Sequence, residues 1–244
     1  MLGKSRLKYI QSLGHKKQRE QEGIFIAEGP KLAGELLATM AGQVLDVFAV
    51  QEWISQAAPL FPGHLMTTVT EDELARISQL ATPNQVLVLL RIPEPVSSLE
   101  TAGRVTLCLD TIQDPGNLGT IIRIADWFGI TQLVCSPGTA DQYNPKVVQS
   151  TMGSIARVQM LYTPLEEWLR ANAATGLYAA ALDGRPVGSI GKLEQGIIII
   201  GNESKGIDPA IFSIVQHRIT IPRIGEAESL NAAVAAGIIL SHLT

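Results

Sequence analysis

A run of four isoleucines, Ile197 to Ile200, constrains the fold more than any other stretch of this 244-residue chain. The run is short, continuous and apolar, and it ends abruptly at Gly201. A strand whose apolar side chains point both ways must be covered on both faces, which is the usual situation in a parallel sheet. We therefore expect an α/β fold in which this strand lies inside a parallel sheet.

The loop after this strand restricts the ligand. It reads GNESKG over residues 201–206, and in open parallel sheets ligands bind beyond the carboxyl ends of the strands. Its glycines are spaced as in a phosphate-binding loop, but Ile207 and Asp208 stand where Lys and Ser or Thr are required. A nucleoside triphosphate site is therefore not expected, and the loop is not a dinucleotide fingerprint. It offers backbone amides, carbonyls and the carboxylate of Glu203.

A second strand also leads into a polar loop. We predict this strand at Arg218 to Ile221, where Pro222 stops it. The following loop reaches the tripeptide Ser-Leu-Asn at 229–231 before an alanine-rich helix begins. Two strands of the sheet thus end in loops with glycine and polar residues.

An arginine lies in the apolar part of another helix. This helix is predicted from about Leu118 to Phe128 after a buried strand at 105–109, with Asn117 at or near its N-cap. Arg123 stands among three isoleucines of the helix. An arginine in such a place needs an anionic or polar partner, or it must reach water.

Composition indicates a globular protein of the cytoplasm. Hydrophobic residues make up 46% of the chain and charged residues 17%, and no apolar run has the length of a membrane span. The basic N-terminus is not followed by the apolar segment of a secretory signal. Cys108 and Cys135 each lie in an apolar run, which predicts buried free thiols in a reducing compartment. No Cys or His cluster has metal-ligand spacing, so we expect no metal.

Positive charge is concentrated at the N-terminus, although the chain has a net charge of -4. The first 19 residues contain six basic and no acidic residues. An RNA phosphate backbone is one partner for such a segment, and a solvated helix face is the alternative. The candidate RNA-binding residues are Lys4, Arg6, Lys16, Lys17 and Arg19.

The chain is expected to form two domains. Strand-like and helical segments alternate over residues 1–92, which predicts a small α/β domain. Residues 93–103 carry two prolines, two serines and a glycine and are predicted to be a linker. Residues 104–244 then form the domain with the buried isoleucine strand.

Three blocks in fixed order carry a resemblance to a known family. They are NLGTIIR (117–123), IIIIGNESKG (197–206) and IPRIGEAESLNAAVAAGI (221–238). Together they resemble the three motifs of the SpoU (TrmH-like) family of RNA ribose 2'-O-methyltransferases, part of the SPOUT superfamily. The N-terminal SLGHKKQRE followed by IFIAEGPKL resembles the substrate-binding domain often found upstream in this family. The resemblance covers almost the whole chain.

The resemblance implies a trefoil knot at the carboxyl end of the parallel sheet, with S-adenosylmethionine bent inside it and a homodimer as the active unit. Gly201, Ile221 and Leu230 match cofactor contacts, which the family makes mostly through backbone. The polar active-site positions of the family match Asn117, Arg123, Glu203, Ser229 and Asn231, without a departure at any of them.

The implied chemistry is methyl transfer to a weak nucleophile, the ribose 2'-hydroxyl. The enzyme must align oxygen, methyl group and sulfur and assist loss of the hydroxyl proton. In this family the arginine matching Arg123 is proposed to take that proton. Arginine stays protonated at ordinary pH, so our hypothesis is that Arg123 mainly clamps a neighbouring phosphate. The other polar residues would position the ribose and the loops.

Other functions remain open at this point. One is a related methyltransferase that acts on a base nitrogen; the SLN block and the Asn117/Arg123 pair favour ribose. Another is a non-catalytic RNA-binding or ribosome assembly factor, which the intact polar positions disfavour. A generic nucleotide-binding α/β protein is third. Ribosomal RNA is favoured over transfer RNA as the substrate, by analogy of the N-terminal domain with domains fused in ribosomal enzymes.

Overall fold

A computed structural model describes residues 2–61, 63 and 65–244. The chain divides into two compact units. The first contains the residues up to 94 together with residues 143–156, and the second contains residues 95–142 and 157–244. Residues 143–156 follow the predicted linker in sequence, yet they group with the first unit.

The elements alternate along most of the chain. The helices are α1 (Lys4–Ser12), α2 (Lys16–Glu22), α3 (Pro30–Thr39), α4 (Gln51–Ala57), α5 (Glu71–Ile77), α6 (Pro115–Trp127), α7 (Pro145–Thr151), α8 (Leu165–Ala171), α9 (Pro209–Phe212) and α10 (Ala232–Leu243). The strands are β1 (Ile24–Glu28), β2 (Val44–Ala49), β3 (Met66–Thr68), β4 (Val86–Arg91), β5 (Val105–Leu109), β6 (Gln132–Cys135), β7 (Gln159–Tyr162), β8 (Leu177–Pro186), β9 (Gly196–Ile200) and β10 (His217–Thr220).

The first unit is a four-stranded mixed sheet between two layers of helices. Its strand order is β1-β4-β2-β3, and only the β2–β3 pair is parallel. Side chains alternate between the faces, as strand geometry requires. Phe25 and Ala27 of β1 pack with α3, α4 and α7, whereas Ile26 packs with α1 and α5. Thr70 and Glu73 form a capping box at the start of α5, so Thr70 is the N-cap of this helix.

Two buried charged groups tie loops to the core of the first unit. The Arg19 guanidinium donates to the carbonyls of Leu13 (3.0 Å) and Gly14 (2.8 Å), so it closes the end of α1. The Glu28 carboxylate accepts hydrogen bonds from the Ser78 hydroxyl and, at 2.8 Å, from the Gln79 amide. Burial raises the pKa of Glu28, and these two hydrogen bonds partly offset the rise.

The second unit is built on a six-stranded parallel sheet. The strand order is β10-β8-β9-β5-β6-β7, and every neighbouring pair is parallel. β9 lies between β8 and β5, and all five of its residues are buried. The isoleucine run is therefore a doubly covered strand inside a parallel sheet, as the sequence predicted.

One strand of this sheet is irregular. β8 pairs with β10 through Tyr178 and Ala179, and then again only at Arg185 and Pro186. Residues 180–184 therefore bulge out of the ladder between the two paired stretches. This bulge brings part of β8 to the cavity described below.

The two cysteines of the sheet are buried and free, as predicted. Cys108 lies on β5 and Cys135 on β6, and burial raises the pKa of both thiols. Separately, no helix in the described part of the chain is long and apolar enough to span a bilayer.

Candidate active site

Three polar loops of the second unit follow strands β5, β9 and β10. They comprise residues 110–114, 201–208 and 221–231. β5 and β9 are neighbours, and all strands of the sheet are parallel, so the loops leave the same edge of the sheet.

Asn117 does not cap α6, so the predicted N-cap was wrong. The helix begins at Pro115, and the side chain of Asp114 caps it by accepting a hydrogen bond from the Asn117 amide at 2.8 Å. Proline suits the first helical position because its missing N–H needs no partner there. Asn117 consequently lies in the first turn with its side chain available for other contacts.

The side chain of Asn117, in the first turn of α6, joins the loop after β9 to the loop after β10. Its Nδ2 donates a hydrogen bond to Oε1 of Glu203, and its Oδ1 accepts from Nδ2 of Asn231 at 2.8 Å. Oδ1 of Asn231 accepts from the amides of Ala233 (3.0 Å) and Val234 (3.3 Å), so the same residue caps α10. These side-chain hydrogen bonds link Glu203, Asn117 and Asn231, which belong to three separate sequence motifs. We call them the Glu203–Asn117–Asn231 chain.

Asn202 shapes the loop that carries Glu203. Its backbone exchanges hydrogen bonds with Gly206 at 3.0 and 2.9 Å, which closes the turn. Its Oδ1 accepts from the amides of Ser204 (2.9 Å) and Lys205 (3.1 Å). The loop therefore has a defined backbone without belonging to a helix or strand.

Asp110 and Thr111, which directly follow β5, the strand beside β9, hold this loop in place. The Thr111 carbonyl accepts from Nδ2 of Asn202 at 2.9 Å, and Oδ2 of Asp110 accepts from the Asp208 amide at 2.8 Å. The Thr111 hydroxyl also donates to Oδ1 of Asp110 at 2.9 Å. Thr111 has a φ of 59°, which is strained for a β-branched residue. Neither Asp110 nor Thr111 was predicted as a site residue from the sequence, although two polar residues directly after a buried strand are a recognisable signal.

A cavity of about 970 Å³ opens beside these loops. Its walls come from the β8 bulge, the loops after β9 and β10, and the start of α10. The predicted cofactor residues Gly201, Ile221 and Leu230 all line it, as do Glu203 and Ser229. The volume is at the upper end of the range for small-molecule sites.

Gly201 is required by the close approach of two backbone segments. A Cβ atom at this position would lie 2.5 Å from the carbonyl carbon of Gly206. The loop therefore closes tightly on itself, and only glycine fits at its first position.

Arg123 is not bonded to the Glu203–Asn117–Asn231 chain and is not among the residues that line the cavity. It is on the exposed side of α6 and, within the described residues, makes no hydrogen bond or ion pair. The sequence left two alternatives for this arginine, a polar partner within the protein or contact with water. The side chain reaches water. Ser229 is likewise exposed, in the loop before α10.

The basic N-terminal residues have different environments. Lys4, Lys16 and Lys17 are exposed, and Lys16 forms a 3.6 Å ion pair with Glu20. Arg6 pairs with Asp46 and lies over the rings of Tyr9 and Phe48.

Arg19 is 1% exposed, and its guanidinium is engaged in the core, which gives it a structural role rather than an RNA contact. No group of three or more His, Cys, Asp or Glu side chains among the residues that the structure describes could hold a metal ion.

Two family models cover most of the chain. A model described as the SpoU rRNA Methylase family matches residues 104–241. A model described as the MRM3-like substrate binding domain matches residues 4–88. The three polar loops and the large cavity lie within the residues matched by the methylase model, so this part of the chain is a methylase domain. The chain belongs to the SpoU rRNA methylase family.

Individual relatives agree with this assignment. The chain is 34% identical to the 23S rRNA (guanosine(2553)-2'-O)-methyltransferase RlmP of Bacillus subtilis, over 98% of this chain and 95% of the relative. A solved structure of a putative TrmH-family RNA methyltransferase from Porphyromonas gingivalis has 34% identity and a TM-score of 0.84, covering 99% and 98% of the two chains. An AdoMet-bound rRNA methyltransferase from Sinorhizobium meliloti has 28% identity and a TM-score of 0.85, covering 99% and 95%.

These comparisons confirm the resemblance read from the three motifs, and they confirm a methyltransferase fold preceded by a substrate-binding domain. They do not assign individual residues, so the roles of the site residues stay predictions.

Proposed function

We propose that this protein transfers the methyl group of S-adenosylmethionine to a ribose 2'-hydroxyl of ribosomal RNA. The observation that carries the proposal is the Glu203–Asn117–Asn231 hydrogen-bonded chain beside the 970 Å³ cavity. The RlmP relative is a 23S rRNA 2'-O-methyltransferase, and the Sinorhizobium relative was solved with AdoMet bound. Residues 104–244 would be the catalytic domain, residues 1–92 the RNA substrate-binding domain and residues 93–103 the linker.

The cofactor would occupy the cavity and supply an electrophilic methyl group on a sulfonium. Gly201, Ile221 and Leu230 would bind it, mostly through backbone groups of the loops after β9 and β10. The knot expected for this family would be formed by these same loops.

The polar residues would align the ribose rather than do covalent chemistry. Glu203 lies at the cavity and is fixed by Asn117, so its carboxylate can accept a hydrogen bond from a ribose hydroxyl. Asn231 holds Asn117 and thereby the position of Glu203. Ser229, in the cavity wall, would provide a further hydroxyl to the substrate. Fixed alignment of this kind lowers a barrier without a metal ion.

Arg123 would clamp an RNA phosphate next to the reacting ribose. It is exposed and has no protein partner among the described residues, so its guanidinium is free to bind an anion of the substrate. A guanidinium binds phosphate oxygens in bidentate fashion and stays protonated, which suits a clamp better than a base.

A homodimer would complete the enzyme. Large apolar side chains of the second unit are exposed in this chain, including Trp127 (83%), Leu230 (45%) and Val234 (50%). Trp127 and Arg123 are one helical turn apart on α6, so a second copy covering Trp127 would lie beside Arg123.

The first unit would hold the RNA through Lys4, Lys16 and Lys17, which are exposed, with a smaller contribution from the engaged Arg6. The two free thiols of the protein and an RNA substrate are both compatible with a location in the cytoplasm.

The reaction itself is tested with labelled S-adenosylmethionine and total RNA from a strain that lacks the gene. The labelled RNA is fractionated and digested to nucleosides. We expect label in a 2'-O-methyl nucleoside of ribosomal RNA. Label on transfer RNA would change the substrate, and label on a base would replace the ribose reaction by base methylation. Cofactor binding without transfer to naked RNA or ribosomal particles would indicate a non-catalytic factor.

A pH–rate profile of Arg123→Lys tests the role of Arg123. We expect lysine to lower the rate by about tenfold or more at every pH, because a point charge cannot replace a bidentate clamp. Rates are measured for both proteins from pH 6 to about pH 11, a span that includes the usual pKa of lysine. Full activity in the lysine variant with a new pKa near that of lysine would instead favour proton transfer at this position.

The salt dependence of RNA binding tests the N-terminal lysines. Replacing Lys16 and Lys17 by Gln should reduce the slope of log affinity against log salt by about 1 to 2, since each lost phosphate contact releases about one counterion fewer. The matched Lys16→Arg/Lys17→Arg variant should keep the slope. An unchanged slope in the Gln variant would remove these lysines from the RNA interface.

A further inference from the structure

Another pocket lies in the second unit, on the face of the β8–β10 strand pair. Its volume is about 290 Å³, and its lining includes Tyr178, Arg185, Ile190 and His217. The buried Ile219 is the one residue that it shares with the proposed cofactor cavity among the residues described. The site residues discussed above do not use this pocket.

A stacked pair of rings forms one side of the pocket. Tyr178 and His217 are register partners on the parallel strands β8 and β10, and their ring centroids are 4.6 Å apart with an angle of 24° between the planes. The tyrosine ring packs against Gly196, where a Cβ atom would lie only 3.0 Å from Cε2 of the ring. Tyr178 is thus held in place by bare backbone on one side and by His217 on the other.

His217 is exposed, and within the part of the chain that the structure describes it makes no hydrogen bond or ion pair. The neighbouring Gln216 is different, because its side chain is used by the protein. Gln216 accepts from the Leu177 amide at 2.8 Å and donates to the Ala173 carbonyl at 3.3 Å, which fixes the strand starts. The backbone that carries His217 is therefore ordered while the imidazole ring faces solvent.

A pre-oriented arginine lies across the same pocket. Arg185 donates from Nε to the Ser189 hydroxyl at 3.2 Å and from Nη2 to the Ser189 carbonyl at 2.8 Å. Its other nitrogen, Nη1, has no partner among the described residues. The nearby carboxylate of Asp183 is already paired with Arg218 at 3.1 Å. The charge that the pocket offers to a ligand is therefore positive.

We propose that this pocket binds one unpaired nucleotide of the RNA substrate, with its base stacked on His217 and its phosphate bound by Arg185. Aromatic rings beside a cation are the usual means of holding single-stranded RNA without choosing a sequence. The volume lies just below the range for small-molecule sites, which suits one nucleotide and not a larger ligand. Ile190 and Ile219 provide an apolar floor. The proposal rests on the RNA-modifying function proposed above and adds a contact outside the active site.

The proposal is tested by measuring equilibrium binding of this protein to unmodified ribosomal RNA, the substrate identified by the labelling experiment, or to fragments of that RNA. His217→Ala should weaken RNA binding and raise the KM for RNA by about tenfold, which is the effect of losing one base stack. His217→Phe should restore both values because it keeps a ring. Arg185→Gln should lower the salt slope by about one phosphate contact. The affinity for S-adenosylmethionine and kcat should not change in any of these variants.

Arg170→Gln is the matched control, because Arg170 is an exposed arginine of the same unit that pairs with Glu166 at 2.8 Å. It should bind RNA like the wild type. RNA affinities of His217→Ala and Arg185→Gln within twofold of the wild type would overturn the proposal, as would a phenylalanine variant as weak as the alanine variant. Because binding does not need turnover, wild-type RNA binding without methyl transfer would refute the proposed reaction and leave this contact standing.

Discussion

The hydrogen-bonded chain Glu203–Asn117–Asn231 is the interaction on which the site depends. Each residue comes from a different segment: Asn117 from the first turn of α6, Glu203 from the loop after β9 and Asn231 from the N-cap of α10. Without this chain, the loops would leave the sheet edge as independent polar segments. With it, the start of α6, the turn after β9 and the start of α10 are held in a fixed arrangement beside the cavity. Side-chain networks of this kind couple their members more strongly than isolated pairs do.

The sheet supplies the rigidity that the loops lack. Asp110 and Thr111 continue β5, the strand next to β9, and their hydrogen bonds reach Asn202 and Asp208 at the two ends of the glycine loop. Thr111 holds a left-handed conformation to direct its carbonyl at Asn202. Such strain persists only where the surroundings fix it; here Asn202 after β9 donates to the Thr111 carbonyl, and Ser136 after β6 accepts from the Thr111 backbone N–H at 2.8 Å. The buried isoleucine strand thus serves the site by anchoring the loop that follows it.

The sequence predicted much of this arrangement, and its failures have physical causes. Continuous burial of Ile197–Ile200 was readable because four apolar residues in a row cannot face water. The cap of α6 was misassigned because Asp114 and Asn117 are both good N-caps, and Pro115 at the first helical position decided between them. The burial of Arg19 was not predictable from charge, since it depends on the carbonyls of Leu13 and Gly14. The pairing of Asn117 with Asn231 spans 114 residues and carries no local signal.

A double-mutant cycle on the methyl-transfer rate tests most directly whether Asn117 and Asn231 act as one unit. Asn117→Ala removes the centre of the chain. Asn231→Ser keeps a good cap for α10 but is too short to reach Asn117. We predict that kcat/KM of the double variant falls little further than that of the worse single variant, which corresponds to a coupling of at least about 1 kcal/mol. Losses that simply multiply would contradict the account, because the two asparagines would then act independently.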